Sequence, residues 1–113
     1  MNDCLFCKII NGEITSDKIY EDEYVIAFHD IFPQAPVHIL IVPKEHIESA
    51  ADINTGNSYL TAKCFEVVSL IAKNEKLDTG FRVITNSGKE GGQTIFHLHF
   101  HLLGGKTFDR VGD

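Results

Sequence analysis

At 113 residues, with 43% hydrophobic and 23% charged residues and a formal net charge of -6, the chain has the composition of one globular domain and is too short for two ordinary ones. The acidic balance and the lack of any Lys/Arg cluster exclude a nucleic-acid polymer as the expected partner, while a single nucleotide can still bind in a local pocket. No apolar run approaches the roughly 20 residues of a membrane span, and Met1-Asn2-Asp3-Cys4 lacks the basic and apolar regions of a signal peptide, so no membrane partner and a cytoplasmic location are expected.

In chain order, residues 4 to 11 read as a short helical turn closed by Asn11-Gly12, a pair that tolerates the left-handed conformation ending many helices. Lys18-Ile19-Tyr20-Glu21 and Tyr24-Val25-Ile26-Ala27-Phe28-His29 follow as strands around the acidic turn Asp22-Glu23. Ile31 to Pro36 must be a loop, because Pro33 and Pro36 cannot sit in a central strand. Val37-His38-Ile39-Leu40-Ile41-Val42 resumes as a strand and should stop at Pro43. From about Asn57 to Lys76 the period changes: Leu60, Cys64, Val67 with Val68, and Ile71 recur at helical spacing. Cys64 on that stripe reads as a small buried apolar residue. Gly80 to Thr85 gives a further strand, a glycine-rich loop covers Asn86 to Gln93, and the last strand is expected over 95–103. The order predicts an α+β domain over residues 1–113, with a mainly antiparallel sheet of about five strands, one long helix and one short one.

Chemistry concentrates in the last strand. Three of the six histidines, His97, His99 and His101, fall on alternate residues, so a strand presents them on one face while Phe96, Leu98, Phe100 and Leu102 pack on the core from the other. A chance, solvated strand is one reading; a shared cation is a second. All three rings cannot easily share one ion, since the outer pair lies roughly 13 Å apart at strand rise and a zinc–nitrogen bond is about 2.1 Å. Phosphorus chemistry is the third reading, because neutral imidazole is a good nucleophile and its neighbours can donate protons to phosphate oxygens. The preceding loop favours it: Gly88, Gly91 and Gly92 let backbone N–H groups approach an anion, and Gln93 and Thr94 add side-chain donors.

Ile95-Phe96-His97-Leu98-His99-Phe100-His101-Leu102-Leu103-Gly104-Gly105 resembles the histidine triad (HIT) signature, His-φ-His-φ-His-φ-φ with φ apolar, and the trailing Gly-Gly is similar to that of its Hint branch. Residues 27–38 and the block Val42-Pro43-Lys44-Glu45-His46-Ile47 agree, so the similarity runs from Cys4 to Gly105. The resemblance implies a homodimeric hydrolase of purine nucleoside phosphoramidates, with His99 forming a covalent nucleotidyl-histidine and His101, His38 and Thr94 assisting. Hydrolysis of dinucleoside polyphosphates and a purely nucleotide-binding module are the alternatives. It further implies nucleotide contacts from Phe28, Ile31 and Leu40 at the base, with Phe6 and Ile14 as additions, from Asp30 at the ribose, and from Asn86, Gly92, Gln93, Thr94, His99 and His101. The tail from Lys106 to Asp113 departs from the tails of that branch, which leaves the preference for a leaving group open.

Cys4-Leu5-Phe6-Cys7 has too little chain before it for a thioredoxin-like redox motif. A zinc site needs two more ligands, and His46 and His97 are available. Some histidine triad proteins with such a pair hold a structural zinc, so the resemblance implies Zn2+ at Cys4, Cys7, His46 and His97, serving folding rather than chemistry.

Overall fold

The computed structural model describes residues 3–110; Met1 and Asn2 of the N-terminal stretch and the last three residues of the expected tail lie outside the described residues. A short helix, α1 (Leu5–Ile10), precedes strands β1 (Lys18–Glu21), β2 (Val25–His29) and β3 (Val37–Pro43). After a 3-10 turn over Ala50–Asp52 come the long helix α2 (Ser58–Asn74) and strands β4 (Arg82–Ile84) and β5 (Phe100–Gly104). The sheet has the order β1-β2-β3-β5-β4 with every neighbouring pair antiparallel. Among the described residues no helix is long and apolar enough to cross a membrane.

Local chemistry explains these elements. Asp22 turns β1 into β2 by accepting from the backbone N–H groups of Tyr24 and Val25 at 2.7 and 2.8 Å, the side-chain turn that aspartate favours. Cys4 caps α1, its sulfur accepting from the N–H of Cys7 at 3.3 Å. In α2 the stripe Leu60, Cys64, Val67, Val68 and Ile71 is buried as the periodicity predicts. Burial pushes the Cys64 thiol up to about 12, which keeps it protonated and inert.

Alternation along the central strands divides the core in two. On the α2 side Val25, Ala27, Ile39, Ile41, Leu98, Phe100 and Leu102 join the helix stripe. On the opposite side Ile26, Phe28, Leu40 and Val42 pack with Phe6 of α1. That second, smaller core faces the same way as His38 and His101, so α1 closes over the sheet beside the histidines.

The last strand differs from expectation. Its ladder begins at Phe100 rather than residue 95, and Phe96 is 48% exposed instead of packed on the core. The cause is competition for hydrogen bonds from the segment after β3. Leu98 N–H donates to the carbonyl of Ile47, and the His97 ring donates to the carbonyl of Pro43 at 2.8 Å. These contacts draw residues 95–99 out of the sheet before β5 begins. Pro43, expected to end β3, is its last residue.

Candidate active site

The candidate groups come together from four places: β3 supplies His38, the segment before β5 supplies His97 and His99, β5 supplies His101, and α1 with its N-cap supplies Cys7 and Cys4. The rings are held in two separate hydrogen-bonded links, whose tautomers follow from the backbone. At the first link, His99 Nδ1–H donates to the carbonyl of His97 at 2.7 Å. A neutral imidazole carries one N–H, so Nε2 keeps its lone pair. The carbonyl of His99 is held as well, since the Thr85 hydroxyl donates to it at 2.8 Å.

The second link starts from Gln34, whose backbone N–H donates to His38 Nδ1 at 3.0 Å. His38 must therefore carry its proton on Nε2, which lies 2.9 Å from His101 Nδ1 and donates to it. His101 then carries its own proton on Nε2. Asp30 adds a carboxylate, with Oδ2 3.4 Å from His38 Nε2, while its Oδ1 accepts from Phe32 N–H at 2.8 Å and shapes the loop. Asp30 thus acts as a turn former and as a negative charge beside the histidine pair.

Burial keeps these rings neutral. It pushes His101 down to about 4, with the neighbouring His99 and His38 acting in the same direction and Asp30 opposing them. Burial also lowers His38, which Asp30 partly offsets, and lowers His99, against its bond to the His97 carbonyl. A neutral His99 with a free Nε2 is the nucleophilic form of imidazole.

His99 and His101 open onto a cavity of about 530 Å3, the size of a small-ligand pocket. Phe28 and Leu40 form a buried floor, whereas Ile31 is 81% exposed and stands at the rim. Asp30, Asn86, Gly92 and Thr94 also line it, as do Phe6 and Ile14. His38 does not reach the cavity wall and acts on it through His101. Gly92 sits at φ +87, a conformation that L side chains rarely adopt.

Gln93 is corrected in its chemistry. It borders the cavity, but its side chain is not available as an anion donor. The amide nitrogen donates to the carbonyls of Glu48 and Ile95 at 2.7 and 3.1 Å, and Oε1 accepts from Gly88 N–H at 2.8 Å. Both amide protons are engaged, so Gln93 holds the glycine loop in shape and leaves contact with an anion to other groups. The contributions of Thr85, Gln34 and the Pro43 carbonyl had no sequence signal, because each depends on a contact between distant parts of the chain.

Cys4, Cys7, His46 and His97 converge on the other side of His97. Their ligand atoms all lie within 4.8 Å of one another. Cys4 Sγ is 3.3 Å from His97 Nδ1, and Cys7 Sγ is 3.3 Å from His46 Nδ1 and 3.6 Å from His97 Nδ1. A tetrahedral ion with Zn–S of about 2.3 Å and Zn–N of about 2.1 Å separates sulfur and nitrogen donors by about 3.6 Å. Moreover, the His97 ring donates from Nε2 to Pro43, which leaves the Nδ1 lone pair facing the sulfurs. Donor chemistry, spacing and tautomer all fit a metal ion, and the quartet can hold one.

A family model described as HIT domain matches residues 11–108. A solved HIT family hydrolase from Clostridium thermocellum is similar over 99% of this chain and 98% of its own, at 45% identity and a TM-score of 0.95. The purine nucleoside phosphoramidase of Escherichia coli (strain K12) is 43% identical over 103 residues, covering 90% of this chain and 87% of the relative. The 14 kDa zinc-binding protein of Brassica juncea is 42% identical over 109 residues, covering 95% and 96%.

Proposed function

Because this chain belongs to the HIT domain family, we propose that it is a nucleotide hydrolase of the Hint type, cleaving the phosphorus–nitrogen bond of purine nucleoside phosphoramidates. The observation that carries the reading is the bond from His99 Nδ1–H to the His97 carbonyl, which leaves Nε2 unprotonated beside the cavity.

The reaction follows from the two hydrogen-bonded links. The base lies between Phe28, Leu40 and Ile31, and the ribose lies beside Asp30. Entry of the anionic phosphoryl group favours the protonated form of the His38–His101 pair. The Nε2 lone pair of His99 attacks the α-phosphorus; the P–N electron pair departs with the amine, which takes a proton from His101. Nδ1–H of His99 stays on the His97 carbonyl, stabilising the charge that develops on the ring. In the second half a water attacks phosphorus and gives its proton to the now neutral His101, and the P–Nε2 bond breaks to restore His99. Thr94 and the backbone of Gly92 contact the phosphoryl oxygens.

Zn2+ is the metal we assign to Cys4, Cys7, His46 and His97. Bound there, it supplies a structural cross-link between α1, the segment after β3 and the segment before β5. We also assign a homodimer: β4 is an edge of the sheet and Phe81 beside it is 44% exposed, an apolar edge suited to a second copy.

The test is to quench the protein with an adenosine phosphoramidate and map the adduct by mass spectrometry. The expected product is one adenylyl group on His99, with none in His99→Ala and turnover reduced about 1000-fold or more. An adduct on another residue, or unchanged turnover in His99→Ala, overturns the mechanism.

A further inference from the structure

Phe6 lies between the two cysteines of the metal quartet and is 2% exposed. Its ring meets the ring of His99 edge to face, with centroids 4.9 Å apart and planes at 87°. The same ring meets His97 at 5.9 Å and Phe28 at 5.6 Å, both edge-on. A single side chain therefore touches a metal-quartet histidine, the proposed nucleophile and the base floor. Such T-shaped contacts are directional and contribute beyond simple area burial.

Helix α1 by itself is too short to keep Phe6 there. The α1 helix has six residues, well short of the roughly 12 that an isolated helix needs for even marginal stability. What fixes it are Cys4 and Cys7, which flank Phe6 and both approach His97, together with packing on Ile26, Phe28, Leu40 and Val42. Among the described residues, the His99 ring in turn makes one hydrogen bond, to the His97 carbonyl. The rest of its orientation comes from packing, where two rings lie against it: His101 at 5.0 Å and 60°, and Phe6 at 4.9 Å and 87°. Phe6 meets it closer to perpendicular, and a near-attack geometry depends on holding that orientation.

We propose that Phe6 is a positioning residue for His99, seated by the Cys4/Cys7 clip so that its ring holds the imidazole in the plane that keeps Nδ1–H on the His97 carbonyl. This role rests on the reaction proposed above and goes beyond it. Phe6 acts through His99 on the rate of attack, whereas Phe28, in the same apolar cluster, acts on binding of the base.

The experiment compares Phe6→Leu with Phe28→Leu, each of which removes one ring from that cluster. Three readouts are taken: zinc per chain, the rate of adenylyl adduct formation in a single turnover together with KM, and the NMR signal of the His99 Nδ1–H proton. Phe6 also lines the cavity, so Phe6→Leu is expected to keep its zinc and to slow adduct formation about tenfold or more, a larger change than in its KM. Its Nδ1–H signal should broaden into exchange with solvent. Phe28→Leu is expected to keep the signal and raise KM. If the leucine variant is too unstable to purify, Phe6→Met preserves more of the volume and carries the same expectations. A parental Nδ1–H signal in the Phe6 variant, or an equal loss of signal in both variants, overturns the role of Phe6. A parent that forms no adduct overturns the reaction itself, a result read independently of the proton signal.

Discussion

His38 on β3 and His101 on β5 share a proton across 2.9 Å, and the backbone of Gln34, four residues before His38, decides which of them owns it. Register makes the meeting possible. Leu40 lies opposite His101 and His38 opposite Leu103, so the two rings are diagonal neighbours on one face of an antiparallel pair. The order of the protons then runs from loop backbone to His38, to His101, to the cavity.

Removing His38 should leave the site occupied but without its fixed tautomer. For His38→Ala, kcat is expected to fall about ten- to a hundredfold, a loss typical of disrupted acid–base catalysis, with a smaller change in KM. Steady-state kinetics on an adenosine phosphoramidate reads this directly. An unchanged kcat rules out the proton chain.

Acid should destabilise the fold through His101. Its folded pKa lies near 4, pushed down by burial, whereas an unfolded histidine titrates near 6.5. Below about 6.5 the unfolded chain takes up the proton first, so stability falls as pH drops from about 6.5 towards 4. Urea midpoints measured at steps between pH 7 and pH 4.5 should decline less steeply in His101→Gln than in the parent. Parallel slopes would place the charge uptake elsewhere.

Stripping the metal should loosen the clip over the site. About one zinc per chain is expected, and Cys7→Ser or a strong chelator should remove it and lower Tm by about 10 °C, the effect of roughly 2 kcal/mol in a domain of this size. Elemental analysis with thermal melts checks both numbers. Zinc retained at parental stoichiometry in Cys4→Ser with Cys7→Ser contradicts the assignment.

Gln93→Ala tests whether that side chain shapes the loop or touches ligand. Its loss leaves the Glu48 and Ile95 carbonyls and the Gly88 N–H without their partner. The expected cost is about 1–3 kcal/mol of stability, as for other buried groups left unpaired. Gln93→Glu should be nearly as damaging, because a carboxylate cannot donate to two carbonyls. Denaturant unfolding that finds either variant as stable as the parent disproves the structural role.

Much of this was readable from residue order. Alternation in β2 and β3, helical spacing in α2 and prolines in the loop after Asp30 are local patterns whose cause acts within a few residues, and the structure follows them closely. The histidine spacing leaves three readings open until the glycine loop and the family resemblance are set beside it, and the zinc set at Cys4, Cys7, His46 and His97 comes from that resemblance. The strand expected over 95–103 was not readable, because Leu98 and His97 bond to groups some 50 residues earlier. Local pattern favours a strand there; those distant acceptors end it.

The sequence alone determined which side chains can attack, donate protons or bind a metal, since that is a property of residue type. It also set the apolar alternation that puts Leu98, Phe100 and Leu102 in the core. Only the tertiary structure decided which nitrogen of each ring carries a proton, because the His97 carbonyl, the Gln34 N–H and the Pro43 carbonyl reach those rings only in the fold. By the same means it made Gln93 a brace for the loop, and it set Phe6 against both His97 and His99. An imidazole has two chemically similar nitrogens, and the geometry of its neighbours makes one a donor and leaves the other free to react.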